Sequence, residues 1–284
     1  MIEVEQFTPV CTSHGEGPIW DGNIRALRCV DMLAGDVLTF DGSGTATRQR
    51  VGSVAATIRP RASGGLVIGT ERGFALADPD GTLRAQPDLW GDTTVRMNEG
   101  GCDPQGRFYC GSMAYDEAPG RGTLYRFDPD GSTAVVLEGL TVSNGLAWTP
   151  AGDAVYHADS PTGLVSRFAF DSASGAFVHG TPFVEIDPAD GLPDGLTVDA
   201  AGDVWVALWR GAAVRHYSSG GDLMDVLELP VPLVTACTFG GDDLGDLFIT
   251  TSRMGVADGD QPQAGALFRC RPGASGRPAA TFAG

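Results

Sequence analysis

Glu16, Asn98, Asn144 and Asp194 open four segments of one design: E-G-P-I-W, N-E-G-G-C-D, N-G-L-A-W-T and D-G-L-T-V-D. An oxygen-bearing side chain comes first, a glycine follows within two residues, and an apolar stretch comes next. In the last three segments a turn glycine stands eight residues on, at Gly106, Gly152 and Gly202. Equivalent residues of a structural repeat fall on one ring, so these side chains are expected to converge. Hard divalent cations take oxygen ligands. Glu16 and Asp194 supply two negative charges and Asn144 a neutral carbonyl oxygen, a set suited to calcium, magnesium or manganese. Water or substrate completes the shell. One such residue alone would more readily cap a strand end by bonding a nearby amide. A coincident set across several repeats is not something folding requires.

Arg96 and Asn98 are two residues apart, so on a strand they face the same side. Together they offer several donors to a polyhydroxylated or carbonyl ligand, or Arg96 forms an ion pair with Glu99. The four histidines (14, 157, 179 and 216) have no ligand spacing, and His14 is read as a turn residue. Trp20, Trp148 and Trp205 read as packing residues, whereas Trp209 could border the site. The chain has no G-x-S-x-G elbow and no phosphate-binding loop.

The elements that must carry these residues are strands. Short β-rich runs recur, among them L-V-I-G-T at 66–70, A-V-Y-H-A at 154–158 and V-W-V-A-L-W at 204–209. Turn signals separate them: D-P-D-G at 78–81 and 128–131, D-P-Q-G at 103–106, T-P-A-G at 149–152 and D-A-A-G at 199–202. Equivalent turns fall 46 and 50 residues apart. That period, over 284 residues, predicts an all-β, six-bladed β-propeller occupying residues 1–284 as one domain. The two blades outside the motif place Ala56 and Thr235 at the ring position. The innermost strand of each blade lines the channel, so the six ring residues should surround one mouth. The N-terminal run I-E-V-E-Q-F is expected to pair with A-L-F-R-C at 266–270, closing the ring without a free edge.

The formal charge of −17 disfavours nucleic acid and anionic membranes as partners. No apolar run is long enough to span a bilayer, and M-I-E-V-E-Q-F-T-P carries no secretory signal pattern. A cytoplasmic protein with reduced cysteines is expected, as a monomer or weak homo-oligomer. A disulfide between Cys102 and Cys110 is disfavoured there.

G-E-G-P-I-W, R-M-N-E-G-G-C-D-P-Q-G-R-F-Y-C-G-S-M, S-N-G-L-A-W-T-P-A-G-D-A-V-Y-H-A-D-S, P-D-G-L-T-V-D-A-A-G-D-V-W-V-A-L-W and C-T-F-G-G-D-D-L-G-D-L-F-I-T-T-S-R resemble the regucalcin (senescence marker protein)/gluconolactonase family from about residue 14 onward. The resemblance implies a six-bladed propeller with one divalent cation, whether calcium, magnesium, manganese or zinc, held by Glu16, Asn144 and Asp194. It also implies hydrolysis of a sugar lactone such as gluconolactone, with Arg96 and Asn98 binding substrate and Asp194 acting as general base. Other esters or organophosphates in the same site, or a non-catalytic calcium-binding propeller, are the alternatives. Two departures bear on specificity: N-E-G replaces the usual N-D-G, which brings Glu99 into the substrate contacts, and A-L-W-R-G replaces A-L-W-G-G, which adds Arg210.

Overall fold

The computed structural model describes residues 2–257 and 259–284. It contains six four-stranded antiparallel sheets arranged as a ring, the six-bladed propeller that the repeats predict. Three 3-10 turns are the only helical elements among the described residues. The inner strands are Gly15–Asp21, Thr57–Pro60, Val95–Cys102, Ser143–Trp148, Leu192–Val198 and Val234–Gly240, for blades 1 to 6 in that order. Each packs on the next around the channel, and blade 6 closes on blade 1. Blade 6 takes its outer strand from the N-terminus: Glu5 pairs with Arg269 and Gln6 with Phe268, as expected. The ring is thus closed by the strand pairing that spans most of the chain.

Local chemistry explains the hairpins. Asp103 Oδ1 accepts from the backbone N–H groups of Gln105 and Arg107 (2.9 Å each), and Asp199 Oδ1 accepts from Ala201, Gly202 and Asp203. Each carboxylate replaces the backbone partners that a tight turn leaves unpaired. Alternation along the strands then sends apolar side chains between blades. Val30, Ile58, Val67, Phe74, Phe108 and Phe127 form one such layer. The six cysteines are free thiols, five of them buried. Phe282, in the C-terminal segment, stacks on Phe127 at 5.2 Å, and its N–H bonds Pro60 O. That segment also bonds Gly106 and Ala200, so it crosses the face opposite the ring residues.

His157 is buried in blade 4, with Nε2 2.8 Å from Ser143 Oγ. Burial pushes its pKa down to about 4, so it is neutral in the folded protein. The unfolded chain binds a proton near pH 6.5 that the fold does not, so acidification from 6.5 to 4 costs stability, roughly 3 kcal/mol from this group. His157→Gln should therefore lose less unfolding free energy between pH 7 and pH 4.5 than the parent, measured by urea titration. Identical losses in the two proteins would show that His157 is not held neutral.

Candidate functional site

At one mouth of the channel a small cavity is lined by Glu16, Arg96, Asn98, Asn144 and Asp194, together with His14, Glu117, Trp209, Arg210 and Met254. The ring residues reach it because the inner strands are irregular where they begin. Strand register shifts between Glu16 and Ile19, Met97 and Gly100, Ser143 and Leu146, Pro193 and Leu196, and Val234 and Ala236. A bulge re-aims the side chain at its apex. The glycines after the ring residues are required by close approach. A Cβ added at Gly195 would lie 2.3 Å from Ala236 Cβ, and one at Gly145 would lie 2.5 Å from Asp194 O. Each glycine thus lets the neighbouring inner strand pack directly behind a ring residue.

Blade 3 breaks that rule. Glu99 stands where blades 1, 4 and 5 have glycine. It is not part of the cavity wall. Glu99 Oε1 instead accepts from Thr57 Oγ1 and its neighbour Gly100 N (2.8 Å each), with Arg59 Nη2 at 3.6 Å. The ion pair that could have joined Glu99 to Arg96 is made by Arg59.

Three acidic side chains are buried in contact with one another's fields. Burial raises the pKa of Glu16 well above the carboxylate range, and the charges of Asp194 and Glu99 raise it further. Burial also raises Asp194, followed by the charge of Glu99, against the opposing effects of Asn144, the Gly195 N–H and Arg96. Asn144 Nδ2 donates to Ser160 Oγ at 3.0 Å, which turns its carbonyl oxygen away from that wall. Asn144 Oδ1, Asp194 Oδ1 and Glu99 Oε2 are buried oxygens without a hydrogen-bond partner. Orphaned acceptors of this kind are costly unless a donor or a cation meets them. A divalent cation fits this donor set by type, charge and convergence.

Arg96 and Asn98 share a face, as their spacing requires. Arg96 Nη1 donates to Asn98 Oδ1 at 2.8 Å and to Met97 O at 2.9 Å, and Asn98 Nδ2 donates to Ser143 O at 3.0 Å. Arg96 is buried, with its guanidinium 5.7 Å over the Tyr115 ring. Among the wall residues that the motifs do not mark are His14, Glu117 and Met254. His14, read as a turn residue, lines the cavity, places Nδ1 2.9 Å from Ser252 Oγ and meets Trp209 edge-on at 5.8 Å. Burial and Arg96 hold its pKa down to about 3, so it is a neutral wall. Glu117 and Met254 come from loops whose spacing carries no periodic signal.

Two other places lack this combination. A larger cavity, about 360 Å³, sits at the far end of the channel, but its lining contains no Asp, Glu or His. Asp199, Asp203 and His216 bring ligand atoms within 4.8 Å of one another. Asp199 is already engaged there, by three backbone N–H groups and by Trp205 Nε1 at 3.1 Å. The mouth remains the place where unsatisfied oxygens and an open cavity coincide.

Residues 14–253 match the family described as SMP-30/Gluconolactonase/LRE-like region. The chain is 36% identical over 272 residues to a pentonolactonase of Haloferax volcanii, covering 93% of this chain and 92% of that one. It is 31% identical over 280 residues to regucalcin of Danio rerio, with 94% of each chain covered. Its fold is similar to that of a calcium-binding protein, regucalcin, of Agrobacterium tumefaciens, at a TM-score of 0.93 and 23% identity, over 99% of this chain and 97% of that one. With its six blades, its bulged ring and a match spanning most of its length, the chain belongs to the SMP-30/gluconolactonase/LRE-like family.

Proposed function

We propose that this protein is a metal-dependent lactonase that opens a sugar lactone to the aldonic acid. The observation that carries the proposal is the convergence of Asn144 Oδ1 and Asp194 Oδ1, buried and without donors, beside Glu16 at an open cavity. The names of the lactonase relatives support the reaction class.

Glu16, Asn144 and Asp194 would hold the divalent cation, whether calcium, magnesium, manganese or zinc. When bound, the cation supplies Lewis-acid polarisation of a carbonyl oxygen. The remaining work falls to side chains. Arg96 and Asn98, already locked to one another, hold sugar hydroxyls in a fixed orientation with little ordering cost left to meet. The Asp194 carboxylate accepts a proton from the attacking water. The water oxygen forms its bond to the lactone carbonyl carbon, the ring C–O bond breaks, and the same proton is available to the departing ring oxygen. Neutral His14 and the Trp209 ring wall the cavity without adding charge. Glu99, set behind the ring, acts on substrate through the Glu16 and Asp194 carboxylates rather than from the wall.

The test is hydrolysis of a panel of sugar lactones, followed with a pH indicator, before and after chelation and after each metal is restored. Hydrolysis that is lost with chelator and returns with metal is expected. Metal binding without any hydrolysis would favour a non-catalytic calcium-binding propeller. For substrate contacts, Asn98→Ala should raise the Michaelis constant about tenfold, the size of a lost hydrogen bond or two, while metal content is unchanged. Loss of metal in that variant would make Asn98 a ligand instead.

A further inference from the structure

We infer that Arg210 forms an anion subsite at the cavity mouth, so that the preferred lactone carries a carboxylate or phosphate in addition to its lactone ring. The inference deepens the lactonase reading and rests on it. All 19 basic residues of this chain are arginine, set against 36 acids. On so acidic a surface an arginine readily finds a partner, and among the described residues 18 have a hydrogen bond, ion pair or other electrostatic contact. Arg210 is the one with none, and it lines the mouth of the acidic ring.

Its backbone adds a second, independent observation. Arg210 has φ 65°, in the left-handed region that favours glycine. A glycine there would remove that strain, yet the position carries the longest cationic side chain. Five other described non-glycine residues share a positive φ, and of these only Glu117 also lines the cavity. Of the nearby acids, Asp190 pairs with Arg215 at 2.9 Å, while Glu117, which also lines the cavity, makes no ion pair with Arg210 and reaches Arg96 only through its charge. The cavity is about 110 Å³, a size that suits one sugar ring rather than a polymer. A ring seated on the floor presents its far substituent to the rim. The guanidinium fork of Arg210 matches the paired oxygens of a carboxylate or phosphate at that position.

The experiment compares kcat/KM for glucono-1,5-lactone, the same lactone phosphorylated at C6, and a uronic-acid lactone. Each is measured for the parent, Arg210→Gly and Arg210→Gln at low and high salt. The parent should favour one of the anionic lactones over the neutral one by about tenfold or more, as a charged hydrogen bond does. That ratio should fall towards one in both variants and shrink with salt. The lactone whose advantage disappears distinguishes phosphate from carboxylate. Arg210→Gly relieves the strained φ, so a loss in that variant cannot be ascribed to misfolding, which thermal unfolding checks. A parent ratio near one, or a ratio that survives in both variants, overturns the inference while leaving the lactonase reading intact. If no lactone is hydrolysed, the lactonase reading fails instead. Calorimetric binding of the ring-opened sugar acid and its 6-phosphate to the metal-loaded proteins then decides: weaker binding of the phosphate to Arg210→Gly supports the subsite, and equal binding overturns it.

Discussion

Asp194→Asn is expected to lower lactone turnover by about 10²–10⁴-fold at saturating metal, the range typical of a lost general base. The substitution is close to isosteric and keeps one oxygen on the same bulge, held by the same Gly195 contact with blade 6. What it removes is a negative charge and nearly all basicity. Asp194 is 4% exposed, so bulk water cannot readily substitute for it. The measurement is kcat corrected for spontaneous hydrolysis, with metal content determined on the same sample. Full turnover in a metal-loaded Asp194→Asn protein would exclude Asp194 as the proton acceptor and leave the cation alone to activate the water.

Glu16→Gln should produce two effects of opposite sign. Affinity for the divalent cation should fall by about 100-fold or more, since even groups that only support metal ligands are worth 10- to 100-fold. The metal-free protein, in contrast, should become more stable. In the parent, Glu16 lies beside the carboxylates of Asp194 and Glu99, and two of the neighbouring oxygens, Asp194 Oδ1 and Glu99 Oε2, lack donors. Burial and its neighbours hold Glu16 away from its charged form, so without metal the fold must take up a proton there or bury an unfavourable charge; the amide requires neither, a gain of about 1–3 kcal/mol. Calorimetric titration with calcium and manganese gives the first effect, and thermal unfolding in chelator gives the second. A residue that merely braced the strand end would lower stability and leave affinity alone. Such a result would remove Glu16 from the ligand set.

Much of the site was legible in the sequence because its cause is local. The ring residue and the glycine after it report a bulge whose side chain turns into the mouth and whose next residue has no room for a Cβ, and both constraints lie within one blade's inner strand and its neighbour. The period of the D-x-x-G turns gave the blade number for the same reason: Asp103 and Asp199 satisfy backbone groups no more than four residues away. The two-residue spacing of Arg96 and Asn98 placed them on one face without any tertiary information.

Other features depend on contacts that no local pattern encodes. N-E-G reads as a variant of N-D-G with a longer acid beside the substrate, yet Glu99 stands where blades 1, 4 and 5 have glycine. The space available to it is set by Thr57 and Arg59 of the preceding blade. His14 reads as a turn residue until Ser252, 238 residues away, closes blade 6 against blade 1 and makes it part of the cavity wall. Arg210 stands out in the sequence as a departure from A-L-W-G-G, but its lack of a partner emerges only when the other arginines have found theirs. The repeats thus specify the blades and the ring, because bulges and turns are fixed by steric and hydrogen-bonding demands over a few residues. The depth of each acid and the freedom of each cation come from closure of the ring, because burial and ion pairing depend on which distant side chains that closure brings together.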